Sequence, residues 1–320
     1  MRDFCTPPKM RNVPMVFAPL LRPMSYVIVI AAGFLLKRAG FFHARDRYLL
    51  SRIMINITLP CAVVQAFEGF SRDGSLFFIV GIGFLCALVP MLVMIPLSRG
   101  DDAQLRAYRL LNVGGYNIGC FSLPLIEAFM GGAGAVVACL FDTGNAVMMT
   151  GGSYAMTSTL LKTGGKRESA KDIALKFLKS APFDTYMVML ALTARSVHLP
   201  DALFALTRPA GQANAFIAML MIGVTFEPAG DAALLRQTAR ELLWRYAFAI
   251  VFAVAIYFAT PFALFVRQTL VVLCFAPLSS LAPIYTDRCG GDAALASFTN
   301  SMSIAVSLVI MIALSLLFVM

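Results

Sequence analysis

From Ala293 to Met320 the chain runs for 28 residues without a charged side chain. About 20 mostly apolar residues, rising about 1.5 Å each, cross the roughly 30 Å hydrocarbon core of a bilayer, so this run constrains the fold more than any other feature. Composition extends the constraint to the whole chain: 59% of the 320 residues are hydrophobic and 13% charged, against about 45–50% and about 25% in soluble domains. A cytosolic enzyme, a collagen-like rod, a disordered chain and a disulfide scaffold are thereby excluded. The seven cysteines form no CxxC pair, and six of them (Cys61, Cys86, Cys120, Cys139, Cys274 and Cys289) lie in or beside apolar runs, where cysteine acts as a small hydrophobe.

Reading for membrane-length runs predicts an all-α polytopic membrane protein with ten transmembrane helices, near 15–36, 48–67, 76–98, 106–130, 133–161, 182–199, 209–227, 243–264, 268–288 and 293–319. The first is interrupted by Arg22 and Pro23, and the sixth is short, with Arg195 and His198 at one end. Connections are short except for KTGGKRESAKDIALKFLKS, with six Lys or Arg and two acids. That segment divides the chain into residues 1–161, a basic linker at 162–181, and residues 182–320. The loops after spans one, three, five, seven and nine collect 18 of the 26 basic residues, including Arg47, Arg109 and Arg245. The positive-inside rule then makes the linker cytoplasmic and places both termini outside. The basic N-terminus (Arg2, Lys9, Arg11) runs against this bias, which either overrides it or reflects a true start at a later methionine such as Met15. The net charge of +9 follows from this sorting. With no basic–aromatic interleaving, it excludes a nucleic-acid partner.

Five spans on each side of the linker make the second half enter the membrane from the opposite face, so any internal similarity is an inverted-topology repeat, a construction of secondary transporters. Pro124 is followed seven residues later by Gly131 and Gly132, and Pro283 seven residues later by Gly290 and Gly291. These pairs close the fourth and ninth spans, the same ordinal in each half. Both spans are broken by composition: the fourth holds Gly114, Gly115, Gly119 and Pro124, the ninth Pro277 and Pro283. Interior proline removes a backbone donor, and in lipid the freed groups need partners. The expectation is that span four unwinds around Ser122–Pro124, with Ser122 capping the restarted helix and Pro124 in its first turn, and that span nine restarts near Ser280–Pro283. Two half-helix N-termini, free of nearby cationic side chains, would then meet near the midplane and suit a small carboxylate.

The ordered set of motifs resembles the auxin efflux carrier family of the bile, arsenite and riboflavin transporter superfamily. The string from Asn117 through Gly119 and Ser122 to Pro124, closing at Gly131, resembles its fourth-span N-x-G-x-x-G-x-P. Asn56 to Pro60 resembles its second-span N-x-x-L-P. Gly33 before Lys37 and Arg38 is similar to the end of its first span, the Ile222–Gly223–Val224 triplet to its seventh-span glycine, and Pro277 with Gly290, Gly291 and Asp292 to its ninth-to-tenth junction. The resemblance covers essentially the whole chain. It implies two inverted five-helix repeats, crossing broken helices four and nine, and a homodimer. It also implies a scaffold of spans 1, 2, 6 and 7 beside a transport unit of spans 3–5 and 8–10 that moves like an elevator. Relatives carry auxins in plants and malate or malonate in bacteria, and the short linker is like the bacterial members. One departure is that the family's glycine two before the proline is Ser122, which narrows backbone approach.

These readings give a permease for small organic anions, carboxylates above all, in a bacterial inner membrane, with membrane lipid around it. Substrate contact is assigned to Asn117, Gly119, Ser122, Pro124, Pro277, Ser280 and Pro283, with either Pro277 or Pro283 marking the ninth-span crossing. Asn117 either bonds the substrate carboxylate or satisfies freed backbone groups. Asp142, with Asn145 on the same helix face, either couples a proton or caps loose N–H groups of span four or nine. Glu127 gates the outer opening or sits at the interface. Asn56 and Pro60 kink a scaffold span, the polar face of Thr299, Asn300, Ser301 and Ser303 joins helices, and His43 and His198 are interface residues. No metal, cofactor or catalytic residue is expected. The competing classes are a membrane-embedded transferase, which lacks clustered acids or histidines in the spans, and a non-transporting receptor. The absence of a GxxxxGK[ST] loop argues against ATP drive.

Overall fold

A computed structural model of the protein describes residues 18–43, 45–68, 74–163, 181–226 and 232–319. The basic N-terminal residues, Met15 and most of the linker lie outside this set. The described residues are overwhelmingly helical and hold no strand. The helices are α1 (Ala18–Arg38), α2 (Asp46–Ala66), α3 (Phe78–Leu97), α4 (Ala103–Asn112), α5 (Leu123–Val147), α6 (Ser153–Leu161), α7 (Ala181–Ala194), α8 (Asp201–Thr225), α9 (Ala232–Ala259), α10 (Leu264–Cys274), α11 (Ala282–Arg288) and α12 (Ala293–Val319). Five stretches are long and apolar enough to cross a membrane: α2, α3, the continuous run Ile118–Leu161 that contains α5 and α6, α9, and α12. The protein is therefore an all-α membrane protein.

Leu-Pro pairs explain two irregular turns. A proline within a helix clashes with the carbonyl four residues back and offers it no N–H. Pro60 and Pro124 each sit just after a π turn, Met54–Thr58 and Ile118–Ser122, where the wider winding relieves that clash without ending the helix. Asn56, one of the residues expected to kink the second span, turns its amide back to the Arg52 carbonyl at 2.8 Å. A third π turn, Met148–Gly152, joins α5 to α6.

Glycine brings two helix pairs to backbone contact. In α3 against α5, a methyl on Gly83 would strike the Phe141 carbonyl and one on Gly144 the Val80 carbonyl. In α1 against α8, the same reciprocity holds for Gly33 with Leu220 and Gly223 with Ile30. Small residues that let backbones approach are the packing currency of membrane helices, where lipid leaves little hydrophobic drive between them. Gly131 divides α5 into two limbs with φ 66° and ψ −168°, a conformation close to glycine-only. Gly290, after α11, has φ 75°. The two glycine pairs noted in the sequence thus each open with a positive φ.

The main apolar cluster runs through α2, α3, α5, α8, α9, α10 and α12, from Met54 and Val63 through Phe121, Phe141 and Ile222 to Leu270, Leu273 and Met311. Two non-helical segments cross this core: Val113–Asn117 between α4 and α5, and the chain from Phe275 to Leu281 between α10 and α11.

Candidate functional site

The first break begins where Gly114 and Gly115 end α4. Gly115 adopts φ 74° and packs beneath Met149. The helix resumes at Ile118, with Asn117 as the residue before it (φ −91°, ψ 75°). This corrects the expected restart at Ser122. The glycines and Asn117 carry the break, and the π turn absorbs Pro124, so Ser122 lies inside the resumed helix (φ −77°, ψ −33°) and its side chain caps nothing. It is fully buried, and its Oγ donates to the Asn117 carbonyl at 3.2 Å. The second break holds Pro277 in its unwound stretch and Pro283 in the first turn of α11, so the expected restart near Ser280–Pro283 coincides with the observed one.

The two breaks bind each other. The Asn117 backbone N–H donates to the Pro277 carbonyl at 2.9 Å, and the Asn117 side-chain amide donates to Ser280 Oγ at 3.0 Å. Buried backbone polar groups need partners, and each break also draws one from a helix later in the chain, α5 for the first and α12 for the second. Asn145 on α5 accepts from the Tyr116 N–H (3.0 Å) and donates to the Tyr116 carbonyl (2.9 Å). Ser303 on α12 accepts from the Leu278 N–H at 3.1 Å.

Arg245 is the residue that sequence reasoning misplaced. Counted with a cytoplasmic loop, it is 4% exposed and lies 13 residues into α9, roughly 20 Å along the helix at about 1.5 Å per residue. Its guanidinium donates to the Ala276 carbonyl at 2.7 Å and the Val113 carbonyl at 3.4 Å, and stands 4.8 Å over the Tyr116 ring. One cation therefore satisfies the carbonyl ends of both interrupted helices, where the helix dipole is negative. The crossing is not free of cationic side chains, as the sequence suggested. α9 begins eleven residues before the span assigned to it, and a lone arginine inside an apolar run was the available signal. Arg109 is likewise buried in α4, paired with Asp101 and 3.8 Å from Glu241 of α9.

Asp142 lies on the second limb of α5 and accepts from two donors, Asn145 Nδ2 (2.9 Å) and the Tyr186 hydroxyl (2.8 Å), while its Oδ2 stands 3.4 Å from where a Cβ on Gly119 would lie. That position sets a carboxylate beside the start of the resumed helix, with the favourable sign for a helix N-terminus. Tyr186, on α7, carried no sequence signal of its own.

A cavity of about 320 Å³ opens beside the crossing. All three π turns reach it, through Ile55, through Ile118 to Cys120, and through Met149 and Thr150; such turns recur at functional sites. Of the residues assigned from sequence, Asn117, Gly119, Ser280, Pro283, Asp142 and Asn145 line the cavity. Ser122, Pro124 and Pro277 do not, although the Pro277 carbonyl holds the crossing. Asn300 and Ser301 of the polar face on α12 also line it, together with Tyr186, Ser279 and Thr225. Its wall extends to Arg47, Tyr48 and Ser51 at the N-terminal end of α2. Among the described residues no cluster of His, Cys, Asp or Glu is arranged to hold a metal ion.

No protein-family model matches the chain, and no curated protein matches it.

Proposed function

We propose that the protein is a secondary carrier for small organic anions, carboxylates above all, in a bacterial inner membrane. The observation that carries this reading is the crossing itself: two interrupted helices bonded to each other at Asn117 and Pro277, beside a cavity lined by amides and hydroxyls. Non-helical backbone at membrane depth is tolerated where it is buried in protein or lines a cavity, and paired broken helices mark substrate sites in transporters with inverted repeats. Counting α4 with the first limb of α5, the second limb with α6, and α10 with α11 gives ten crossings in two groups of five. The matched positive-φ glycines, Gly131 and Gly290, and the matched clamps, Asn145 on Tyr116 and Ser303 on Leu278, support a repeat.

The carrier works by an elevator displacement, with α1, α2, α7 and α8 as scaffold in a homodimer, and with both termini periplasmic. Side-chain bonds within each body favour this division. Thr58 to Asn214 (2.9 Å) and Gln65 to Thr207 (2.7 Å) tie α2 to α8. Tyr108 to Thr299 (2.8 Å) and Asn112 to Thr286 (3.0 Å) join α4 to α12 and α11. The Tyr186–Asp142 bond crosses between the bodies, so movement requires breaking it.

Uptake and counterflow of labelled mono- and dicarboxylates in proteoliposomes, with and without a pH gradient, test the reading; transport of none by folded protein refutes it. Asn117→Ala is expected to weaken substrate binding at least tenfold while Asn56→Ala leaves it within twofold, because Asn56 only bonds its own helix. Equal effects would move the site away from the crossing.

A further inference from the structure

Among the described residues, two charged side chains line the cavity, and they have opposite signs. Asp142 lies beside the first break, and every neighbour bonded to it is a donor. Arg47 lies in the first turn of α2. It stacks 5.0 Å over the Tyr48 ring and donates to its hydroxyl at 3.1 Å, with no carboxylate partner among the described residues. The rest of the described lining is neutral: amides, hydroxyls and apolar side chains such as Ile55 and Met221. Asn300, 6% exposed, lines the same wall with its side-chain oxygen unpartnered.

A plain anion fits this distribution poorly. At the crossing it sets a like charge beside Asp142, and the one cation that touches both breaks, Arg245, is turned to backbone carbonyls. At the resumed helix, where a substrate carboxylate would seek the free N–H groups, Asp142 Oδ2 already stands beside Gly119. What the inner wall offers beyond its own bonds is acceptor capacity, from Asp142 and the Asn300 oxygen. A buried acceptor without a donor costs free energy that a ligand N–H recovers. Opposite charge near a partly desolvated carboxylate is favoured and like charge is opposed.

From this bipolar wall we infer that the substrate class is carboxylates that also carry an ammonium group, amino-acid-type zwitterions, with the ammonium toward Asp142 and Asn300 and the carboxylate toward Arg47. The inference rests on the carrier reading and revises its substrate from a plain anion to a zwitterion that keeps the carboxylate. The cavity volume falls in the range of small-molecule sites, and its apolar lining, Ile55 and Met221 included, accommodates a hydrocarbon side chain branching from the carbon that bears the two charged groups.

The experiment pairs each carboxylate with its α-amino counterpart: propionate with alanine, 4-methylpentanoate with leucine, 3-phenylpropionate with phenylalanine, and succinate with aspartate. Uptake into proteoliposomes of the full chain is expected to favour the amine-bearing member at least tenfold in each pair that is carried. A smaller gap, or preference for the amine-free acid, overturns the inference and leaves the carrier reading standing. Transport of neither member of any pair defeats the carrier reading as well. Asp142→Asn is expected to reduce that preference to less than threefold; retention of the tenfold gap in folded variant overturns the inference. Because Asp142 also bonds Asn145 and Tyr186, Arg47→Gln, at a half-buried position in the first turn of α2, gives a second measure. It is expected to raise the half-saturation concentration for the preferred amino acid at least fivefold, and an unchanged value overturns the proposed orientation.

Discussion

Arg245 shows what a single buried cation does in this fold. Its guanidinium fork reaches two carbonyls 163 positions apart in the chain, Val113 and Ala276, and no other described side chain bonds both breaks. Arg245→Met leaves both acceptors unpaired, at about 1–3 kcal/mol each, and is expected to lower the thermal midpoint of the detergent-solubilised protein by several degrees. Arg245→Lys keeps the charge but not the planar fork, so it should recover part of the loss. Equal stability of Met and Lys variants would show that charge at the carbonyl ends is unimportant. Residues of this kind were poorly legible in the sequence. Asn117, Asp142 and Asn145 stood out because amides and acids are costly inside apolar runs, and all three line the cavity. Arg245 was equally costly, but the edge of its span was drawn too late, and a span-end arginine reads as a loop charge. Tyr186 was invisible for a different reason: tyrosine is ordinary in membrane helices, and only its partner, 44 residues away, gives it meaning. Ser303 was legible as part of a polar face that joins helices, but its partner, the Leu278 N–H 25 residues away, was not.

At the level of elements, the sequence pattern was most informative where backbone chemistry is local. Glycine pairs and prolines predicted that the fourth and ninth spans are interrupted, and non-helical segments occur in both. The pattern failed on the position of the first break because it treated Pro124 as the cause. Proline two residues after a π turn is accommodated, whereas Gly114 and Gly115 end a helix outright. The reciprocal glycine contacts were legible only as single glycines, since their partners lie on other helices. They yield a direct test. Gly144→Val drives a branched side chain into the Val80 carbonyl of α3, and backbone there cannot rotate away. A loss of about 3 kcal/mol, at the upper end for overpacking, is expected in thermal or denaturant unfolding. Gly81→Ala on α3 is the control: nothing lies within 4 Å of the added methyl, and the gain in helix propensity should leave stability unchanged or raised by up to about 1 kcal/mol. If the two substitutions cost the same, close approach does not hold α3 to α5.

For the whole molecule, orientation depends on which arginines belong to loops. Arg109 and Arg245 are 4% exposed inside the protein, so neither takes part in the loop bias that orients a membrane chain. Removing both leaves 16 basic residues against eight, and the direction of the bias survives. Under the proposed orientation, Arg47 and the end of the cavity that it lines lie on the cytoplasmic side, and the loop between α9 and α10 faces outward. A cysteine introduced at exposed Ala263 in that loop is therefore expected to react with a membrane-impermeant maleimide in intact cells. One introduced at Ser169, in the basic linker, should react only after lysis, with the unsubstituted chain fixing the background from its own cysteines. The reverse pattern would overturn the proposed orientation. Arg47 would then face outward, and with it the end of the cavity to which the substrate's carboxylate is assigned.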